Sequence, residues 1–99
     1  MFIDGHSTDM AFSHNPERKR FELDVDGDVA FLTYRQEGNA LSLNHAEVPQ
    51  AFEGRGFGSQ LVKRTLAYVR EHDLTVVPRC SFVRDYLERH PEEQDVVAA

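Results

Sequence analysis

Apolar and polar positions first alternate clearly at Phe21, Leu23 and Val25, which interleave with Glu22 and Asp24 and predict a half-buried strand. Asp26-Gly27-Asp28 reads as a hairpin turn. The returning strand covers residues 29–36, with Val29, Phe31 and Thr33 on one side and Ala30, Leu32 and Tyr34 on the other. Both sides are apolar, so cover on both faces is expected for part of its length. Glu37-Gly38-Asn39 turns the chain again. In a third strand, residues 40–48, Leu41, Leu43, His45 and Glu47 share one face, and Ser42, Asn44, Ala46 and Val48 the other. Short turns make these three strands an antiparallel meander.

The spacing then becomes helical. Phe57, Leu61, Val62, Thr65, Leu66 and Val69 define the buried stripe of a helix from Gly56 or Gly58 to about Glu71, closed by His72-Asp73. The short apolar run from Leu74 to Val77 predicts a fourth strand before Pro78. A right-handed crossover sets it parallel to residues 40–48. Ser81 is the expected cap of a second helix, Phe82, Val83, Tyr86 and Leu87 its buried stripe, and Pro91 its stop. Residues 92–99 are expected to be loosely held, except for packing at Val96-Val97. Residues 1–19 show no clear period and are expected to form an arm, pinned if at all by Phe2, Ile3 or Phe12. The expected fold is thus one α+β domain over residues 20–99. It comprises a three-strand antiparallel meander, a glycine loop, a central helix, a fourth, parallel strand and a C-terminal helix.

The junction of strand and central helix carries the chemistry. Gly54, Gly56 and Gly58 place three glycines in five residues, just after Val48-Pro49. A helix start offers N–H groups without internal partners, plus the positive end of the dipole, and glycine lets a ligand approach the backbone. A Walker A loop is excluded, because Ser59-Gln60 follows Gly58 where Lys then Ser or Thr is required. A dinucleotide fingerprint fails too: from Gly54 the third glycine comes one residue early, and from Gly56 its slot is Leu61. The preceding meander also differs from the βαβ unit of a Rossmann domain. A tight turn with no ligand stays open as the alternative.

The chain has 99 residues, 40% hydrophobic and 10% aromatic, which fits one globular domain. No apolar run approaches the length of a membrane span, and the N-terminus lacks the pattern of a secretory signal. A single cysteine forms no internal disulfide, so a cytoplasmic location is expected. The net charge of −6 argues against nucleic acid and would steer a cationic amine toward the surface. It also means that an anionic ligand needs a local field, from backbone N–H groups and from Arg55, Lys63 or Arg64. The five histidines are scattered without ligand spacing, so no metal site is expected.

Val48-Pro49, Gly54-Arg55-Gly56-Phe57-Gly58 and Leu61-Val62 together resemble the acetyl-CoA loop of the GNAT-type N-acetyltransferases. That pattern is Gln or Arg, two residues, Gly, any residue, then Gly or Ala. Gly56 and Gly58 fit it, while Glu53 stands where Gln or Arg is usual. The likeness is closer to the short, single-domain members. It extends to Arg20-Phe21-Glu22-Leu23, Tyr34, His45-Ala46-Glu47-Val48-Pro49, Val76-Val77-Pro78-Arg79-Cys80-Ser81-Phe82-Val83 and Arg89-His90-Pro91-Glu92. Ala46 replaces their usual Thr. The resemblance spans roughly residues 20–97 and implies a reduced GNAT fold without the extra N-terminal helices.

The resemblance implies acetyl transfer from acetyl-CoA to an amine, either a small molecule or a protein lysine. The loop residues Gly54, Arg55, Gly56, Phe57, Gly58 and Ser59 would hold the pyrophosphate. The third strand would splay from the fourth, so that Ala46 and Val48 line the pantetheine arm, with Phe82, Arg79 and Ser81 near CoA. Glu47 and His45, roughly 7 Å apart along one strand face, are the candidate bases. Cys80 follows the fourth strand at a helix start beside Arg79, a setting that favours the thiolate. It is the candidate nucleophile or acid, or else a small packed hydrophobe. Tyr86 is an alternative acid or a core residue. A non-catalytic CoA-binding or protein-interaction module is the rival reading, since the absent helices help form acceptor sites in larger members. The chain is read as a monomer or a homodimer, the latter through its outer edge strand and Phe2 or Ile3.

Overall fold

The computed structural model describes residues 10–98. Five strands form one sheet in the order β1 (Met10–Asn15), β2 (Arg20–Val25), β3 (Asp28–Glu37), β4 (Ala40–Glu47) and β5 (Thr75–Pro78). The first four are antiparallel neighbours, and β5 runs parallel to β4. Helix α1 (Phe57–Glu71) makes the crossover between β4 and β5, and α2 (Ser81–Arg89) follows. This is the α+β arrangement expected from the sequence, with one strand more.

The added strand corrects the expected arm. Met10 to Asn15 pair with Val25 to Arg20 along their whole length. Residues 1–9 lie outside the described residues, and with them the dimer role of Phe2 and Ile3. Met10, Phe12 and His14 are half-buried while Ala11 and Ser13 are exposed, so the alternation of a strand was present, disguised by an inward histidine.

Phe21, Leu23 and Val25 on β2 and Ala30, Leu32 and Tyr34 on β3 are buried on one face. Helix α1 packs against these two strands with Leu61, Val62, Thr65, Leu66 and Val69. Among the described residues no element covers the other face of β3: Val29 is exposed, and the Arg20 guanidinium lies 4.2 Å from the Phe31 ring centroid. A two-residue turn with Asp26 at φ 55° and Gly27 at φ 92° joins β2 to β3, as their right-handed twist requires.

Helix α1 ends as its sequence suggests, with a Schellman pattern: Asp73 turns left-handed, its N–H reaches Arg70 O at 3.2 Å, and Leu74 N–H reaches Val69 O at 2.9 Å. At α2 the cap position belongs to Cys80, in extended conformation, and Ser81 is already helical without a capping bond. The C-terminal segment is far from loose. A 3₁₀ segment, Pro91–Val96, buries Val96, and Ala98 N–H bonds Val76 O at 2.8 Å. Arg70 holds Asp95 and Glu93 at 2.7 and 2.9 Å, and the Tyr86 hydroxyl donates to Glu93 at 3.0 Å.

Candidate functional site

The pairing of β4 with β5 stops at Leu43 and Pro78. Three local features make it stop. Pro78 has no N–H to offer the ladder. The chain then turns, with the N–H groups of Arg79 and Cys80 both donating to Leu43 O at 3.0 Å. On β4 itself Tyr34 faces Leu43 but Thr33 faces His45, so Asn44 is an extra residue, a bulge that bends the strand. Residues 45–47 therefore remain paired with β3, but no strand of the described residues lies beyond them on the β5 side.

The bulge also changes the expected faces. Leu43 pairs with the buried Tyr34, whereas His45 and Glu47 pair with Thr33 and Phe31 on the outer face. Without the insertion, residues 41, 43, 45 and 47 would share one side; with it, His45 and Glu47 leave the core side, and Ala46, opposite Leu32, enters it. His45 Nε2 lies 3.1 Å from Glu47 Oε2, and the two side chains are 59% and 61% exposed.

Beyond β4 the chain makes a 3₁₀ turn, Gln50–Phe52, and two left-handed glycines, Gly54 at φ 73° and Gly56 at φ 77°. The latter caps α1 without any side-chain bond. The first bond of the helix runs from Gln60 N–H to Gly56 O at 3.1 Å, which leaves the N–H groups of residues 57–59 without a helical acceptor. Of these residues, Gly58 and Ser59 border an open cavity of about 490 Å³. Val48, Pro49, Gln50, Phe52, Glu53, Gly54 and Gly56 form its loop wall. Gly58 and Ser59 form the α1 wall, and Phe82 and Arg89 the α2 wall.

Six of the residues expected at the cofactor thus meet here: Val48, Gly54, Gly56, Gly58, Ser59 and Phe82. Gly54 and Gly56 have no neighbouring atom within 4 Å of an added Cβ, so the backbone there is open to a ligand. Gly58 answers to a different constraint. A Cβ on it would stand 2.6 Å from Phe82 Cζ, so its bareness is what lets α2 close against α1.

The remaining candidates lie around the cavity rather than on it. The Arg55 guanidinium sits 4.7 Å over the Phe57 ring, and that ring meets Phe52 edge-on at 5.2 Å. Ala46 is half-buried on the core side. Cys80 is at the apex of the opening, but only 9% exposed. Tyr86 is a core residue, 2% exposed, and burial together with its bond to Glu93 pushes its hydroxyl up to about 12. Pro49, Gln50, Phe52 and Arg89 are lining residues that sequence reading missed. Arg89 carried a signal: it lies seven residues after Phe82, two helical turns along the same face.

This geometry fits the phosphate end of a CoA ester on two counts. Unpartnered helix-start N–H groups face open space, and the free edge of β4 runs into it. No group of residues suited to hold a metal ion occurs among the described residues. None of the described helices is long and apolar enough to cross a membrane.

Comparison with known proteins places the fold in a family. Residues 20–96 match the profile of the GCN5-related N-acetyl-transferase family, and the chain belongs to it. Protein NATD1 of Xenopus tropicalis is 33% identical over 91 residues, covering 89% of this chain and 84% of that protein. Protein NATD1 of Homo sapiens is 34% identical over 84 residues, covering 82% and 74%. Among solved structures, the solution structure of a GCN5-like acetyltransferase-family protein from Staphylococcus aureus superposes with a TM-score of 0.71 at 27% identity. It covers 90% of this chain and 88% of that one.

Proposed function

We propose that the protein binds acetyl-CoA and transfers its acetyl group to an amine. The observation that carries this reading is the continuity between the free edge of β4 and the cavity with unpartnered N–H groups at the start of α1. Residues 57–59 meet the pyrophosphate, and residues 46–48 pair with the amides of the pantetheine arm. The arm then points to the apex beside Leu43 and Cys80. There the amine nitrogen attacks the thioester carbonyl and its proton passes through water to Glu47, with His45 as its hydrogen-bonded partner. When the carbon–sulfur bond breaks, the CoA thiolate takes a proton from the Cys80 thiol, which is refilled from solvent. The acidic surface favours a cationic acceptor, a small amine or a protein lysine. A cytoplasmic setting suits the free thiol.

Calorimetric titration with acetyl-CoA, CoA, NADH and ATP tests the cofactor. Binding of the first two alone supports the reading, and silence from all four overturns it. Gly58→Leu should abolish CoA binding, because the new side chain drives Phe82 from its place. Unchanged affinity would remove α2 from the site.

A second reading, a non-catalytic CoA-binding module, is favoured by one observation: His45 and Glu47 stand on the outer face, more than half exposed. A panel of lysine peptides and polyamines separates the two. Binding of acetyl-CoA without turnover of any acceptor selects the module.

A further inference from the structure

We infer that Arg89, at the last turn of α2, is the cationic anchor of the CoA pyrophosphate. This assignment rests on the acetyl-CoA reading above. The loop has an electrostatic deficit that something must offset. The family pattern places Gln or Arg at the position of Glu53, so here a carboxylate borders the phosphate cradle. Two backbone-derived effects, free N–H groups and the helix dipole, oppose that charge only in part. The protein as a whole carries a net charge of −6, so no general positive field helps.

The cations that sequence reading offered do not fill the gap. Arg55 is turned onto the Phe57 ring, and neither Lys63 nor Arg64 borders the cavity. Among the described residues Arg89 is the one cation on the cavity wall. It enters none of the ion pairs found there, which engage Arg20, Arg35, His45 and Arg70. Among the described residues no ion pair or hydrogen bond occupies its guanidinium. Its planar fork suits two phosphate oxygens, as a lysine would not. The pairing with Phe82 on one face of α2 gives that helix a consistent role: the ring closes on α1 and the cation closes on the ligand.

The test compares wild type and Arg89→Ala by calorimetry with CoA, 3′-dephospho-CoA and pantetheine, at low and high salt. Arg89 is exposed, so the variant keeps its core, and a thermal melt checks this. Arg89→Ala should weaken CoA and 3′-dephospho-CoA alike, by roughly tenfold at low salt and less at high salt. Pantetheine, which lacks phosphate, should bind both proteins equally. Arg89→Lys should recover part of the loss. Equal affinity of wild type and Arg89→Ala for CoA overturns the assignment and leaves the acetyl-CoA reading standing. A loss confined to CoA, absent with 3′-dephospho-CoA, also overturns it by moving Arg89 to the 3′-phosphate. Failure of the wild type to bind CoA at all removes the acetyl-CoA reading, and the anchor with it.

Discussion

Two histidines on the same sheet each make one short polar contact, yet their surroundings give them opposite roles. On β1, His14 Nε2 lies 2.6 Å from the Tyr34 hydroxyl. Its ring stacks on Phe21 at 4.6 Å and meets Tyr68 edge-on at 4.8 Å. On β4, His45 Nε2 lies 3.1 Å from Glu47, but no ring of the described residues covers either side chain and both are more than half exposed. A hydrogen bond alone does not distinguish them. The first pair is enclosed by aromatic surface, so its polarity is spent inside the protein. The second stands where β4 has lost a neighbour, so its polarity is available to a ligand or a proton.

Disturbing each end should therefore cost a different quantity. The largest effect is expected from Phe21→Ala, beneath His14. Phe21 is fully buried against His14, Tyr34 and Tyr68. Its loss should lower unfolding free energy by about 3–5 kcal/mol in urea titration. A loss below about 1 kcal/mol would mean that the aromatic cluster does not hold this end of the sheet. Next in size is Glu47→Gln. An exposed ion pair contributes little to folding, so stability should stay within about 0.5 kcal/mol. Turnover of an acceptor that the wild type acetylates should fall by roughly 100-fold. Equal turnover would take the base role from Glu47.

The same contrast explains what the sequence revealed. Regular repeats were legible: Phe21, Leu23 and Val25 at spacing two, and Leu61, Val62, Thr65, Leu66 and Val69 at helical spacing, are buried as they predict. So was the glycine turn that leads into α1, because glycines needing positive φ advertise themselves at Gly54 and Gly56. Interruptions were not legible. The bulge at Asn44 has no residue signature, yet it moves His45 and Glu47 to the opposite face. Strand β1 was missed because its inward positions, Met10, Phe12 and His14, include a histidine whose acceptability depends on Tyr34, twenty residues away. Arg89 was legible only as part of the motif Arg89-His90-Pro91-Glu92, because its place on the cavity wall depends on how α2 packs against the glycine loop. The C-terminal segment was misjudged for a similar reason: Arg70 reaches it from 25 residues away.

A smaller effect is expected at the contact itself. Tyr34→Phe keeps the ring that tilts against Phe21 at 5.1 Å and removes only the hydroxyl. His14 Nε2 then loses its partner in a part-buried site, which should cost about 1–2 kcal/mol in the same urea titration. No change would show that water replaces the hydroxyl freely and that the stack alone seats β1.

The smallest effect is a dependence on pH, and its sign is fixed by burial. His14 titrates below its ordinary value of 6.5, first because burial disfavours its charged form and then because His72 lies across Tyr68. The groups facing it are Phe21 on β2, Tyr34 on β3, Tyr68 on α1 and His72 at the C-cap of α1, none of them anionic at neutral pH. Because the folded pKa is depressed, the unfolded chain takes up the proton first as pH falls. The contribution of His14 is complete above 6.5, declines as pH drops below that value, and is gone once pH passes the folded pKa. Urea midpoints recorded from neutral pH downward should therefore decrease in the wild type, and the decrease should be shallower in His14→Gln. Parallel slopes for the two proteins would show that the histidine on β1 is as open to solvent as the one on β4.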